Sequence, residues 1–423
     1  MSDIMKPYLI IATLILASCG RNDNAATTPP RGPANSARAI EFWHIQTYDP
    51  TKPAVEEAVA RCQAEHPRLK ITTQAIKNDA FKTKLKMDMG AGTEPDVFHT
   101  WGGGVLQSYV KYDLVMNLDP LLPAGSPDKF HPAALDFCRA GGNLYGLPVD
   151  VTVVPVWYNK AVFAKAGVAV PKTIDEFYAV CDTLRRQNIT PLALGNIKSW
   201  PGAFYFMYFA TRAGGMEPIE NGDYENPAFI EAGRQIQKMV KADYFNKGFN
   251  GIDYDEARRL FFRGESAMIV MGTWMLAHAR KEAPELLNNI GCFAFPGMDN
   301  PEWNDIIVGG VNAGYAVAAD TKYPEDCIAL LQALTDEQGM ADWAATGRIP
   351  ALNREAATPL LAPETLVAAE ILFDAKAIQL YYDQYLPPAL GTMHKETSQA
   401  LFALTTTPEA AAAKMTATAK RRP

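Results

Sequence analysis

Hydrophobic and polar positions alternate between short strand-like runs and helical stripes from residue 39 onward. The run at 39–44 is apolar, and the segment at 69–76 alternates as a half-buried strand does. Between them, apolar residues recur at helical spacing from Val55 to Cys62, and Pro67 ends this predicted helix. Strand–helix–strand units of this kind predict a largely parallel sheet with helices on its faces.

The same alternation continues through the rest of the chain. A second helix is predicted from Phe81 to a stop at Gly90. The residues from Thr173 to Glu176 have the pattern of a capping box, and Asp255 is predicted to cap a short helix. Further strands are predicted at 95–101, 153–159, 266–272 and 306–319, and helices in the Ala-rich segments 364–380 and 393–420.

The first 20 residues have the features of an export signal. Lys6 precedes the apolar stretch 8–17, which is too short for a bilayer span of roughly 20 residues but suits a secretory signal. The order Leu-Ala-Ser-Cys that ends at Cys19 resembles the lipobox of bacterial lipoproteins. It predicts a signal peptide at 1–18, a lipidated Cys19 and a flexible tether at 19–38. The alternative is a plain signal peptide with an incidental cysteine.

Composition narrows the class of protein. The chain of 423 residues has 48% hydrophobic and 21% charged residues and a formal net charge of -7, so an acidic globular protein is expected rather than a nucleic-acid binder. No Walker A, HExxH or GxSxG pattern occurs, and we therefore expect no nucleotide, metal or other cofactor. Besides Cys19 there are five cysteines without a CxxC pair, which predicts no disulfide framework.

Five blocks of the chain carry a recognisable series of motifs. In chain order they are IEFWH, KLKMDMGAGTEPDVFHTW, LYGLPVDVTVVPVWYNKAVFAKAGVAVPKTIDEF, FFRGESAMIVMGTW and VGGVNAGYAVAADTKYPEDCIALLQALTDEQG. Together they resemble segments of the extracellular solute-binding proteins of ABC importers, specifically family 1, the maltose-binding type that serves carbohydrate uptake. The third block is the most specific, because a Gly-Leu-Pro turn, Tyr-Asn-Lys and a Pro-Lys-Thr helix start follow one another in it.

This resemblance implies an α/β protein with the two-lobed, type II periplasmic-binding-protein fold. The ligand cleft lies between two lobes that a multi-strand hinge joins. By resemblance, lobe 1 comprises residues 39–150 and 291–352, and lobe 2 comprises 151–290 and 353–423. The resemblance also implies a monomeric binding protein rather than an enzyme. It would take a carbohydrate, act with the transmembrane permease subunits of an ABC transporter, and be exported and held by lipid at Cys19 in the periplasm or at the outer face of the cytoplasmic membrane.

Candidate ligand-binding residues follow from what a sugar requires. Its apolar C–H faces suit aromatic plates, and its hydroxyls suit planar polar side chains beside those plates. Such residues stand at the ends of predicted strands, at the crossover between lobes and in loops. Each of them could instead be buried in the core or form its hydrogen bonds with neighbouring residues. The predicted ligand-binding residues are His44, Gln46, Trp101, Asp150, Trp200, Trp274, Asn312 and Asp383.

Two alternatives remain open. The same fold could bind a non-sugar solute, such as a polyol phosphate or a polyamine; a phosphate would require Lys, Arg or helix N-termini in the cleft. A lipoprotein glycosidase is the other alternative, and it would require two carboxylates at catalytic separation. The sugar, its length and its linkage do not follow from the sequence.

Overall fold

Residues 38–421 form four β-sheets with helices packed on them, and these are the residues that the computed structural model describes. The predicted signal peptide, the predicted lipidation site at Cys19 and the tether up to residue 37 lie outside the described residues. The strands are β1 (Arg38–His44), β2 (Leu69–Ala75), β3 (Val97–Thr100), β4 (Arg139–Ala140), β5 (Asn143–Leu144), β6 (Leu147–Pro148), β7 (Thr152–Val153), β8 (Val156–Asn159), β9 (Thr190–Ala193), β10 (Ser266–Val270), β11 (Ile290–Phe293), β12 (Ile306–Gly310), β13 (Gly314–Val317) and β14 (Ala377–Leu380).

Helices occupy most of the chain between these strands. They are α1 (Thr51–Glu65), α2 (Asn78–Ala91), α3 (Gly103–Lys111), α4 (Pro132–Phe137), α5 (Lys160–Ala166), α6 (Ile174–Arg186), α7 (Trp200–Gly214), α8 (Glu217–Glu220), α9 (Pro227–Lys241), α10 (Tyr254–Phe262), α11 (Trp274–Glu282), α12 (Pro324–Thr335), α13 (Glu337–Ala345), α14 (Arg354–Ala357), α15 (Pro363–Phe373), α16 (Tyr382–Tyr385), α17 (Pro388–Phe402) and α18 (Pro408–Lys420). Short 3-10 turns lie at Ser126–Lys129, Pro284–Asn289, Pro301–Trp303 and Thr358–Leu360. Among residues 38–421, no helix combines the length and the apolar character that a membrane crossing requires.

Two larger sheets form the cores of two lobes. The first sheet, in the order β2-β1-β3-β13-β6, is the core of lobe 1, and β1 pairs in parallel with both β2 and β3. The second sheet, in the order β11-β8-β10-β9, is the core of lobe 2. The predicted parallel βα units are therefore present in lobe 1, although β13 and β6 join that sheet in antiparallel pairing.

A third sheet lies where the chain passes from one lobe to the other. It has the order β14-β12-β7. Strand β7 follows β6 of the first sheet and precedes β8 of the second, and β12 follows β11 of the second sheet and precedes β13 of the first. Both crossings are thus hydrogen-bonded to one another through the pairing of β12 with β7.

The predicted boundary at residue 291 needs a correction, because β11 pairs with β8 in the second sheet. Residues 290–293 therefore lie with lobe 2, not with the 291–352 segment of lobe 1. The apolar sequence around this strand has no feature that reveals its partner. We place the crossing back to lobe 1 at β12, and the remaining lobe limits stay a prediction.

Local signals explain several helix ends. The Thr173 hydroxyl accepts a hydrogen bond from the Glu176 N–H, and the Glu176 carboxylate accepts one from the Thr173 N–H, so the predicted capping box is confirmed. Helix α2 continues past Gly90 to Ala91 and is capped by Gly92, whose left-handed conformation (φ 66°) favours glycine. The predicted cap of α10 was two residues late, since Asp253 rather than Asp255 caps that helix.

The predicted helix at 364–380 is wrong in its second half. Helix α15 ends at Phe373, and Ala377–Leu380 form β14, which pairs in parallel with β12. The predicted strand at 153–159 is divided in the same way, because β7 joins the third sheet and β8 joins the second. In both cases, the hydrogen bonds of a partner strand decide the structure of a segment whose own pattern is ambiguous.

Candidate functional site

A cavity of about 580 Å³ is lined by residues of both lobes. Lobe 1 contributes the segment after β1, the start of α2, the residue after β3, Asn312 and Arg348. Lobe 2 contributes residues of α7, α10 and α11 and the segment that follows β14. The lining residues are Ile45, Gln46, Thr47, Tyr48, Lys77, Asn78, Asp79, Ala80, Lys82, Trp101, Lys198, Trp200, Phe204, Asp253, Tyr254, Asp255, Arg258, Trp274, His278, Glu282, Asn312, Arg348, Tyr381, Asp383 and Gln384.

Five of these side chains form a continuous aromatic wall, which consists of Trp200, Phe204, Tyr254, Trp274 and Tyr381. Neighbouring ring centroids lie between 5.5 and 6.2 Å apart, all of them in tilted or edge-on geometry. Such distances are those of favourable aromatic pairs. The rings therefore support one another and present a large apolar surface to the cavity.

The two tryptophans of the wall are placed by the starts of two helices. Trp200 is the first residue of α7, and Trp274 is the first residue of α11. Gly272 makes room for the second indole, since a Cβ at that position would lie 2.0 Å from the Trp274 ring. The fourth sequence block ends in Gly272-Thr273-Trp274, a Gly-x-Trp motif, and this motif thus has a physical basis, because the backbone must pass close to the ring.

Trp101 is an aromatic residue on the lobe 1 side. It directly follows β3, and only 8% of its surface is exposed. The Lys82 ammonium lies 4.7 Å from the centroid of its ring and 3.1 Å from a carboxylate oxygen of Asp383. Burial raises the pKa of Asp383, but the positive charges of Lys82 and Lys395 outweigh this effect and lower it.

Polar side chains connect the lobes at another side of the cavity. Tyr48 stacks on His278 with a centroid distance of 3.8 Å, and its hydroxyl accepts a hydrogen bond of 2.9 Å from Arg348. On α10, Arg258 donates to Glu282 through two nitrogens, and Glu282 also lies 3.7 Å from Nδ1 of His278. Burial lowers the pKa of His278 to about 4 although Glu282 opposes it. The contacts with His278 and Arg258 lower the pKa of Glu282 to about 2 against the effect of burial.

Six of the eight predicted ligand-binding residues line this cavity: Gln46, Trp101, Trp200, Trp274, Asn312 and Asp383. The two others do not. His44 is buried, and its Nδ1 accepts a hydrogen bond of 3.2 Å from the Gln46 N–H, so it is satisfied locally. Burial, with the charge of Lys52, lowers its pKa to about 4.

Asp150 likewise does not face the cavity. It lies at the predicted crossover but is fully enclosed, with an ion pair of 3.1 Å to Arg348. Its other oxygen accepts the backbone N–H groups of Asn312 and Ala313. Burial raises the pKa of this carboxyl, while Arg348 and the two N–H groups oppose that effect. The expectation that Asp150 contacts ligand is corrected: its carboxylate fixes Arg348, which does line the cavity.

Sequence reasoning missed several lining residues. Phe204 lies one helical turn after Trp200, so a helical reading of 200–214 would have found it. Tyr48, Arg348 and His278 carried no signal of this kind, because their meeting depends on contacts between segments that are far apart in the chain.

The sequence of this protein matches a known family. The profile of the bacterial extracellular solute-binding proteins matches residues 48–341, and the chain belongs to that family. An ABC transporter extracellular-binding protein of Pyrococcus horikoshii is 26% identical over 285 residues, which are 65% of this chain and 64% of that protein. The chain thus aligns with less than two thirds of the length of this relative. The family resemblance seen in the five sequence blocks is confirmed.

Solved structures confirm the two-lobed α/β fold. A structure from work on xylan utilization by the thermophilic bacterium Caldanaerobius polysaccharolyticus is 30% identical, with a TM-score of 0.83, and covers 91% of this chain and 100% of its own. A chitin oligosaccharide binding protein is 26% identical, with a TM-score of 0.84 and coverages of 91% and 98%.

Proposed function

We propose that this protein is the sugar-binding receptor of an ABC importer. It captures a mono- or oligosaccharide in the cavity by closure of the two lobes and delivers it to a membrane permease. The observation that carries this proposal is the aromatic wall of Trp200, Phe204, Tyr254, Trp274 and Tyr381, which faces a cavity that also contains many hydrogen-bonding side chains.

The chemistry of the cavity suits a carbohydrate. Sugar rings place apolar C–H groups against aromatic rings, and carboxylates, amides and guanidinium groups form paired hydrogen bonds with neighbouring hydroxyls. The volume of about 580 Å³ lies in the range of roughly 300–1,000 Å³ that is usual for small-molecule sites. The similarity to a chitin oligosaccharide binding protein and to a structure from work on xylan utilization supports the same ligand class.

The charges of the cavity favour a binding protein over a glycosidase. A glycosidase needs one carboxylic acid with a raised pKa as a proton donor. In this cavity, the pKa values of Glu282 and Asp383 are both lowered, and each carboxylate is committed to a cation. Neither group is suited to donate a proton near neutral pH. Of the three other carboxylates in the lining, Asp255 is paired with Arg258, Asp253 caps α10 and Asp79 stands in the first turn of α2. We therefore propose that the protein is not an enzyme.

A phosphate-bearing ligand has less support. Three of the cationic side chains that line the cavity are already paired with carboxylates, namely Lys82 with Asp383, Arg258 with Glu282, and Arg348 with Asp150. Lys77 and Lys198 line the cavity as exposed side chains. The first turns of α2, α7, α10 and α11 also line the cavity, but Asp79 brings negative charge to the start of α2, and Asp253 and Asp255 bring it to the start of α10, which opposes a phosphate there.

The cellular location of the protein is part of the same proposal. A receptor with a signal peptide at 1–18 and a lipid at Cys19 would be exported and would work as a monomer beside its permease. Radiolabelled palmitate incorporation into the wild type, with a Cys19→Ala variant as control, tests the anchor. Label in the variant equal to that in the wild type would contradict it.

Ligand titration tests the binding function. The purified protein is unfolded and refolded to remove carried-over ligand, and xylo-, chito- and malto-oligosaccharides are then added while tryptophan fluorescence and thermal melting are followed. We expect a saturable fluorescence change and a raised melting temperature for one series. A response only to polyamines or polyol phosphates would show that the ligand is a non-sugar solute. Release of reducing ends would indicate a glycosidase.

A further inference from the structure

Lys82 reaches the cavity from α2 and is held there by two neighbours. Its ammonium nitrogen lies 4.7 Å from the centroid of the Trp101 ring and 3.1 Å from Oδ2 of Asp383. The negative face of the ring attracts the positive charge, and the carboxylate accepts one N–H group. A lysine side chain is flexible on its own, so these two anchors, which come from different segments of the chain, fix where the ammonium lies.

The contacts of this ammonium leave part of its hydrogen-bonding capacity unused. An ammonium group has three N–H donors. Within residues 38–421, Asp383 accepts a hydrogen bond from Lys82, and no second acceptor bonds to it. The Lys82 side chain is 25% exposed, and the residue belongs to the cavity lining. The remaining N–H groups are therefore open to a molecule that enters the cavity.

Trp101 is poorly suited to stack on a sugar itself. Only 8% of its surface is exposed. His99 and Phe81 pack edge-on against its ring, with centroid distances of 4.4 and 6.0 Å, and the Lys82 ammonium lies over the ring. A stacked sugar needs an open ring face. This geometry suits a support for Lys82 better than a stacking surface for a sugar.

A glycine after Trp101 brings the second anchor close to the first. Gly103 is the first residue of α3 and follows Trp101 by two positions. A Cβ on Gly103 would lie 2.7 Å from the backbone oxygen of Gln384, so the start of α3 touches the backbone of α16, which carries Asp383. A side chain at this position would push α16, and with it the Asp383 carboxylate, away from Lys82.

We propose that Lys82 is a specificity-determining residue that donates a hydrogen bond to one hydroxyl oxygen of a neutral sugar residue, and that Trp101 is its positioning residue. This inference rests on the proposed sugar-binding function. The acceptor is an uncharged oxygen, because Asp383 already balances the charge of the ammonium and would repel a second carboxylate.

The consequence is discrimination between sugars rather than affinity alone. The aromatic wall of lobe 2 accepts any sugar ring with a suitable apolar face. A site that hydrogen-bonds a particular hydroxyl rejects an analogue that lacks it, because the donor then stays unpaired in the closed cavity. Loss of the Lys82 donor therefore relaxes the preference among sugars that stack equally well.

The test compares sugar affinities of the wild type and of Lys82→Met, which keeps an unbranched apolar stem but has no N–H group. The probes are the best-binding member of the xylo-, chito- and malto-oligosaccharides and its singly deoxygenated analogues. We expect one deoxy analogue to bind the wild type roughly 10- to 100-fold more weakly than the parent sugar. In Lys82→Met this deoxy ratio should shrink to a few-fold.

The positioning role of Trp101 is tested by conservative rescue. Trp101→Phe keeps a ring face for the ammonium and should keep most of the deoxy ratio, whereas Trp101→Leu should lose it. Adding Trp101→Leu to Lys82→Met should not reduce the ratio further, because both changes remove the same interaction. A Trp101→Leu variant that weakens parent and analogue equally, with the ratio unchanged, would show that Trp101 stacks on the sugar and would overturn its positioning role.

Lys84 offers a matched control on the same helix. Its ammonium nitrogen lies 4.1 Å from the centroid of the Trp43 ring and 3.0 Å from a carboxylate oxygen of Asp88, so it has the same two kinds of neighbour as Lys82. Lys84 does not line the cavity. Lys84→Met should therefore leave the deoxy ratio at its wild-type value.

The outcomes separate this inference from the proposed function. An unchanged deoxy ratio in Lys82→Met, or equal shrinkage in Lys82→Met and Lys84→Met, would overturn the inference and leave the sugar receptor intact. Equal binding of the parent and all deoxy analogues by the wild type would do the same. Absence of any sugar response in the wild type would overturn the proposed function itself. Should Lys82→Met fail to fold, Lys82→Met combined with Asp383→Asn leaves no unpaired carboxylate, and the same reduced ratio is expected there.

Discussion

Tyr48 and His278 stack face to face, with ring centroids 3.8 Å apart and planes that differ by 19°. Tyr48 follows β1 of lobe 1, and His278 lies on α11 of lobe 2, so this stack joins the lobes at the cavity. The neighbouring residue Asp49 forms an ion pair with Lys281 of the same helix. One ring stack and one ion pair thus connect the same two segments.

The ion pair between Asp49 and Lys281 should stabilise the arrangement in which the two lobes meet beside the cavity. Both side chains are about half exposed, so the expected contribution is small. In Lys281→Gln we expect a larger radius of gyration in X-ray scattering of the ligand-free protein and up to about a fivefold loss of sugar affinity. Both effects should fade at high salt.

A matched control exists within lobe 2. Arg234 and Glu409 form an exposed ion pair between α9 and α18, and neither residue lines the cavity. Arg234→Gln removes a similar charge pair without affecting the contact between lobes. If Lys281→Gln and Arg234→Gln change the scattering curve equally, the ion pair of Asp49 has no special role in closure.

Removal of one aromatic side chain from the wall should weaken sugar binding. Trp200 is half-buried at the start of α7, and its ring neighbours Phe204, Tyr254 and Trp274 remain when it is truncated. We expect Trp200→Ala to reduce affinity about 10- to 30-fold, because it removes a stacking surface. Calorimetric titration measures this change.

Trp303→Phe is the control, because it alters a tryptophan outside the cavity lining, and it should bind as the wild type does. Equal losses of affinity in both variants would contradict the role of the wall.

The sequence predicted those site residues whose position follows from local structure. Gln46 and Trp101 were placed at the cleft because each follows a strand of a predicted parallel sheet, and the structure puts both in the cavity lining. Trp274 was marked by its Gly-x-Trp motif, which also reflects a local constraint, the close approach of Gly272 to the ring.

Residues that depend on distant partners could not be predicted in this way. Asp150 was placed correctly at the crossover, but its side chain turns to Arg348, which is 198 positions away in the chain. Strand β14 was mistaken for helix because only its pairing with β12 distinguishes it from the Ala-rich helix before it. The hydrophobic pattern and residue propensities determine the secondary structure of segments with a strong periodicity. The secondary structure of short apolar segments depends instead on the strands with which they pair.

Gly272 should tolerate no side chain. A Cβ there would lie 2.0 Å from the Trp274 indole, so Gly272→Ala must displace the ring. We expect the free energy of unfolding to fall by about 1–3 kcal/mol and sugar affinity to fall with it. The control is Gly90→Ala in α2, where no atom lies within 4 Å of the added Cβ. That variant should gain about 0.5–1 kcal/mol in urea unfolding. A neutral Gly272→Ala would show that the indole moves without cost.

Buried histidines should make the protein sensitive to mild acid. Burial lowers the pKa values of His44, His278 and His394 to about 4, from ordinary values near 6.5. Between these two pH values the unfolded chain binds protons at these positions and the native protein does not. Proton uptake on unfolding therefore favours the unfolded state, and the free energy of unfolding must fall as the pH decreases from about 6.5 to about 4.

The size of this effect can be measured by urea unfolding at a series of pH values. Each histidine should contribute a slope of about 1 kcal/mol per pH unit in that window. His394→Gln removes a fully enclosed imidazole that is in edge contact with Phe206 and Tyr382, so its slope should be smaller than that of the wild type even if its stability at pH 7 is lower. A wild-type stability that stays constant from pH 6.5 to 4 would mean that these histidines are protonated as easily in the native protein as in the unfolded chain.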